Sequence, residues 1–133
     1  MADFAREIKR SVLIVDRSDE SREVLRTVLA RRGVQILEAS GARAGLELCR
    51  RHHPEVVVLD LDSQAAGDET VQGEYQSQAD TDSASLVMLG HEQRFDPASA
   101  VPAPYGRFVP KPYHYAPLVR TIEELLAAAG KAP

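Results

Sequence analysis

"VVVLDLD", residues 56–62, decides how the chain is read. Together with Glu55 it forms the run "EVVVLD", which shows none of the apolar-polar alternation of a half-exposed strand. A strand that is apolar on both sides is covered by helices on both faces, as in a parallel sheet. This one ends on Asp60, with Asp62 two residues later. The most hydrophobic stretch of the chain is therefore a rigid mount for carboxylates.

Working outward, "VLIV" at 12–15 is a second short β-branched run ending on an acid, Asp16. The "RSDES" that follows supplies the Ser and Asp residues that cap helices. Val24, Leu25, Val28 and Leu29 then recur at helical spacing, with Asp19 and Glu20 at the N-terminal end and Arg31 and Arg32 at the other, before Gly33 stops the helix. "VQILEA" (34–39) reads as a strand, and Ser40 opens a helix whose face carries Ala42, Gly45, Leu46 and Cys49 until Pro54 closes it. Residues 63–85 predict only a poor helix: Val71, Tyr75 and Ala79 are suitably spaced, but Gly73 and the surrounding Gln, Asp and Ser residues offer little to bury. "SLVMLG" (85–90) is a fourth strand, ending on Gly90. Pro97, Pro102 and Pro104 argue against a regular helix between 91 and 106, so the fourth helix of the series is expected to be irregular. "RFVPKP" (107–112) is an edge strand that tolerates proline. The last helix is expected to start near Pro117, a residue suited to the N1 position, and to carry Leu118, Ile122, Leu125, Leu126 and Ala129 on one stripe before Gly130.

Strands alternating with helices predict an α/β fold with a doubly wound parallel sheet of five strands. The 133 residues suit one domain, with 1–10 as an N-terminal arm and 11–133 as the folded unit. Hydrophobic residues at 44% and charged residues at 27% describe a globular protein, and no stretch approaches the roughly 20 apolar residues of a membrane span. "MADFAREIKR" has no apolar core of a secretory signal, so the cytoplasm is the expected location. The single cysteine, Cys49, has no partner for an internal disulfide and no neighbours at metal-ligand spacing. A net charge of -4 gives no surplus for binding a phosphate backbone, so direct nucleic-acid binding is not expected.

Ligands of such sheets bind at the carboxyl ends of the strands, where strand order reverses. With the order 2-1-3-4-5, Asp16 and Asp60 become neighbours at that point and Lys111 reaches the same mouth. Paired carboxylates favour a hard divalent cation, and a nearby lysine neutralises a phosphoryl group. The chemistry implied is phosphoryl transfer onto a carboxylate.

"SVLIVDRSDESREVLRTVL", "EVVVLDLD" and "RFVPKP", in that order and at these separations, resemble the receiver domain of bacterial two-component response regulators. The resemblance runs from about Ser11 to about Ala129 and implies a flavodoxin-like fold. It implies that Asp60 is the phosphoacceptor, that Lys111 contacts the phosphoryl group, and that Asp16 and Asp60 ligate Mg2+ together with the position of Asp62. It also implies a switch built from positions 90 and 108, here Gly90 and Phe108. The phosphate would come from a histidine kinase or phosphotransfer protein, and a downstream protein would read the result, with the chain acting as a monomer or homodimer and not as an enzyme.

Several positions depart from the family pattern. Arg17 stands where a second acid usually ligates Mg2+, which predicts weak or absent metal binding. Gly90 replaces the Ser or Thr whose hydroxyl grips the phosphoryl group, and Ser63-Gln64 replaces the usual Met-Pro. Arg17 has three open roles: pointing to solvent, leaving Asp62 to supply its carboxylate, or pairing with Asp60 in imitation of a neutralised state. His91 is expected to face the site, His52 and His53 to sit at a helix C-terminus, and Tyr105, Tyr113 and Tyr115 to cluster near the proline segment. Three functions follow: a stand-alone receiver, a phosphorylation-independent docking module of the pseudo-receiver kind, and a haloacid-dehalogenase-like phosphatase using Asp60 and Asp62. The phosphatase reading needs its Asp-x-Asp motif on the first strand, whereas here it falls on the third.

Overall fold

The computed structural model describes residues 10–91 and 106–130. Strands β1 (Ser11–Val15), β2 (Gln35–Ala39), β3 (Val56–Asp60), β4 (Ser85–Gly90) and β5 (Gly106–Pro110) form one parallel sheet. Their order is β2-β1-β3-β4-β5, as expected. The described helices are α1 (Asp19–Ala30), α2 (Ala42–His52), α3 (Glu69–Asp82) and α4 (Tyr115–Gly130).

Every residue of β1 and β3 is buried, and the two faces account for the missing alternation. Leu13, Val15, Val57 and Leu59 pack against Leu46 and Cys49 of α2 and Val71 and Tyr75 of α3. Val12, Ile14, Val56 and Val58 pack on the other side against Leu25 and Leu29 of α1 and Leu118 and Ile122 of α4. With both faces apolar, only the strand ends are left to carry polar groups.

Local signals act as read at α1. Ser18 is the N-cap and accepts a hydrogen bond from the Ser21 amide at 3.2 Å, and Gly33 takes a φ of 77° just beyond the helix. Arg32 donates from Nη1 to the Val28 carbonyl at 3.1 Å, satisfying an acceptor of the last turn.

One expectation needs correction. The segment 63–85 contains a regular 14-residue helix, α3, not a poor one. Asp68 caps it, accepting from the Thr70 amide at 2.8 Å, and the single stripe Val71, Tyr75 and Ala79 is buried. Its polar residues occupy the outer side, where a side chain added at Gly73 would meet nothing within 4 Å. The last helix begins at Tyr115, two residues before Pro117, which still falls in the first turn where no intrahelical donor is required. The proline-rich part of 91–106, Tyr105 and residues 1–9 of the expected arm lie outside the described residues.

Tyr75 ties the α2/α3 side together. Its hydroxyl donates to the Ala42 carbonyl at 2.5 Å, passing through a gap left by Gly45. A Cβ at Gly45 would collide with that hydroxyl and stand 2.6 Å from Val15 Cγ2. We expect Gly45→Ala to destabilise the protein by about 1–3 kcal/mol in urea unfolding, because overpacking outweighs the gain in helix propensity. Gly73→Ala in the open part of α3 should instead stabilise by about 0.5–1 kcal/mol.

Candidate functional site

Val15 pairs with Leu59, so Asp16 and Asp60 emerge from adjacent strand ends. Both are buried at 4% exposure. Asp16 Oδ1 accepts the Ser18 amide at 2.9 Å, and Asp60 Oδ1 accepts the Asp62 amide at 3.0 Å. Lys111 approaches from the end of β5, where its own amide donates to the Gly90 carbonyl at 2.8 Å and its bond to Pro112 is cis. Its Nζ donates to Asp60 Oδ1 at 2.6 Å and to Asp62 Oδ2 at 2.9 Å. Three strand ends thus bring Asp16, Asp60 and Lys111 to one point.

These groups open into a pocket of about 510 Å³. Arg17, Ser18, Ser21, Tyr113 and Tyr115 line it. The two tyrosine rings meet edge to face with centroids 5.7 Å apart, and the Tyr115 hydroxyl lies 3.1 Å from Ser21 Oγ. His91 lines the pocket as expected, with Nε2 3.5 Å from Asp62 Oδ2. Arg17 lines it too, exposed, and forms no hydrogen bond or ion pair among the described residues. Pairing of Arg17 with Asp60 is therefore not what is seen: Lys111 holds that place.

Burial pushes the Asp16 carboxyl up to about 6, an effect that its hydrogen bond from Ser18 opposes and the neighbouring Asp60 reinforces. For Lys111, burial works against the ammonium, but the hydrogen bonds it donates to Asp60 and Asp62 outweigh it and the pKa is raised. Lys111 is in contact with Asp60 but not with Asp16, which leaves the two carboxylates short of a second cation. A hard divalent cation fits that shortage, since Mg2+ takes one or two carboxylates and keeps several waters. Among the described residues no group of three or more His, Cys, Asp or Glu has the arrangement of a metal site. The fit is thus to a two-carboxylate site of Asp16 and Asp60, with the Asp62 carboxylate turned to Lys111.

Gly90 is not an empty position. A Cβ there would lie 2.9 Å from Leu61 Cδ1, 3.4 Å from its Cβ and 3.5 Å from its Cγ, so Leu61 fills the room a side chain would use. Phe108 is half-buried against the α2/α3-side core, in register with Met88. His53 ends α2 in the left-handed conformation, and its Nδ1 lies 3.1 Å from Asp82 Oδ1, away from the pocket. Sequence reading missed Ser21 and Leu61. The position of Ser21 in the first turn after a capping Ser is its one available signal, whereas nothing in the order of residues places Leu61 against Gly90.

The family model for the response regulator receiver domain matches residues 12–123. Among solved structures, a response regulator receiver protein from Sinorhizobium medicae is 18% identical with a TM-score of 0.73, covering 92% of this chain and 98% of that one. The chemotaxis response regulator CheY4 of Vibrio cholerae is 22% identical with a TM-score of 0.67, covering 88% and 98%. A response regulator receiver modulated diguanylate cyclase from Pelobacter carbinolicus is 22% identical with a TM-score of 0.65, covering 90% and 93%. No curated protein sequence matches significantly.

Two outcomes test this geometry. Because the folded pKa of Asp16 lies above its ordinary 3.8, its protonated form favours the fold, and wild-type stability should fall as pH rises from about 4 through about 6. Asp16→Asn keeps the acceptor for Ser18 and removes that loss, so in metal-free buffer it should be more stable by about 1–2 kcal/mol at pH 8 and gain nothing near pH 4. Gly90→Ser should cost about 1 kcal/mol in the wild type and close to nothing in a Leu61→Ala background, a double-mutant cycle read by chemical denaturation.

Proposed function

The chain belongs to the response regulator receiver domain family, and from that premise we propose that it is a receiver module of two-component signalling in which Asp60 accepts the phosphoryl group. The observation that carries this reading is the contact of Lys111 Nζ with Asp60 Oδ1 at 2.6 Å, beside Asp16 at the mouth of a pocket. In the transfer, an Asp60 carboxylate oxygen attacks the phosphorus of the donor. The donor's P–N or P–O bond breaks, and its electron pair leaves with the imidazole or carboxylate of the donor. Lys111 steadies the developing charge without giving up its proton, since its hydrogen bonds already favour the ammonium.

Asp16 and Asp60 would hold Mg2+, with the ion neutralising charge on the phosphoryl oxygens. Arg17 at the same mouth repels the ion and weakens its binding. The donor is a histidine kinase or phosphotransfer protein, and the output passes to a downstream protein through surface contacts; the module works as a monomer or homodimer without touching nucleic acid. No described helix is long and apolar enough to cross a membrane.

One observation favours the docking-module alternative: position 90 carries no hydroxyl, and the tip of Leu61 stands 2.9 Å from where a side chain there would begin. The phosphatase alternative loses support because Asp62, the acid it needs, is held by Lys111 at 2.9 Å.

Incubation with acetyl phosphate and Mg2+ should add one phosphoryl group to the intact mass, and Asp60→Asn should abolish the gain. A folded wild type that never gains mass, under conditions where Mg2+ is bound, would instead support the docking module. Turnover of a generic phosphate ester would revive the phosphatase.

A further inference from the structure

We propose that Arg17 is a phosphoryl-binding residue: its guanidinium grips the phosphoryl group carried by Asp60, in place of the hydroxyl that Gly90 does not supply. This rests on the reading of Asp60 as phosphoacceptor and adds to that site a contact of this chain's own. Four observations lead to it. Arg17 lines the same pocket as Asp60 and Lys111. Among the described residues its guanidinium is engaged with nothing, whereas Lys111 is spent on two carboxylates. Gly90 carries no hydroxyl, and the first atom of a side chain there would meet buried Leu61 at 2.9 Å. Finally, the pocket holds three acids, Asp16, Asp60 and Asp62, against the two permanent cations Arg17 and Lys111.

The charge balance gives the proposal its direction. Transfer replaces the single negative charge of Asp60 with about two on the acyl phosphate, and that charge projects outward into the pocket. Lys111 is a point donor already shared with Asp62. Arginine stays charged at all relevant pH and offers a planar fork of N–H donors that matches phosphoryl oxygens. The same positive charge that weakens a cation at Asp16 and Asp60 strengthens an anion there. In the step itself the Asp60 oxygen forms the new bond to phosphorus, and the P–O bond of acetyl phosphate breaks with its pair on acetate. Arg17 donates hydrogen bonds to the equatorial oxygens and transfers no proton.

The test uses the whole chain as wild type, Arg17→Ala, Arg17→Lys and Asp60→Asn. Arg17 is exposed, so the variants should keep the wild-type melting temperature in phosphate-free buffer. Two readouts are taken: the initial rate of mass gain from acetyl phosphate, with and without Mg2+, and the rise in melting temperature caused by inorganic phosphate, which involves no covalent step. Arg17→Ala should react about tenfold more slowly or worse, and should lose the phosphate-induced rise, with Arg17→Lys keeping part of both. If Arg17→Ala reacts as fast as wild type or faster and keeps the phosphate-induced rise, Arg17 is only a charge that repels the metal, and the proposal is wrong. If no variant gains mass, the phosphoacceptor reading fails. In that case the phosphate-induced rise alone decides the anion contact, its loss in Arg17→Ala upholding it and its persistence overturning it.

Discussion

The constraint from which the rest follows is the burial of Asp60 at the end of a strand whose two faces are both covered. A carboxylate at 4% exposure cannot rely on water, and an unpaired buried charge costs several kcal/mol. Asp60 is satisfied by the Asp62 amide and by Lys111, and Lys111 reaches it only because β5 lies beside β4 and is anchored to the Gly90 carbonyl. Sheet order is therefore a condition for the charge pair. The site is assembled by the same apolar contacts that build the core: Val57 and Leu59 toward α2 and α3, Val56 and Val58 toward α1 and α4.

That coupling explains why so much of the fold was legible. A strand buried on both faces leaves an unbroken apolar run, and "EVVVLD" could be placed in the sheet interior from composition alone. Asp16 and Asp60 were readable because each follows directly from such a run, and Lys111 because it follows the proline-tolerant edge strand. The segment holding α3 was harder, since a helix that packs only a single stripe of Val71, Tyr75 and Ala79 looks polar when averaged. Its stability comes from tertiary contacts, including the Tyr75 hydroxyl on Ala42, that join residues 33 positions apart. Leu61 against Gly90 was unreadable for a related reason: the contact is set by the lateral pairing of β3 with β4, and no local pattern records it.

The departures from the family pattern make better sense as a set than one at a time. Position 90 carries no side chain, and the tip of Leu61 stands 2.9 Å from where one would begin. On the reading of Asp60 as acceptor, a phosphoryl group would find no hydroxyl at position 90, and the permanent cations lining its pocket are Lys111 and Arg17. An acid at position 17 would have added a fourth negative charge to a pocket where Asp16 is already pushed up to about 6. Arginine there puts a positive charge on the pocket lining instead.

This shifts where neutralisation comes from. A site with two acids beside the acceptor depends on a cation from solution, so its charge state follows the supply of metal. A site with Arg17 and Lys111 carries more of the neutralising charge in its own chain, and carries it permanently. The route by which a charge change would leave the site is altered as well. With no side chain at position 90 to move, Lys111 is the contact of Asp60 that lies on another strand's end, three residues along the chain from Phe108. Lys111 bridges Asp60 and Asp62, and a new anion on Asp60 would draw it away from Asp62, which also lies 3.5 Å from His91 Nε2. The consequence would be felt along β5 and at the entrance to the segment after β4, not through a hydroxyl pulled inward.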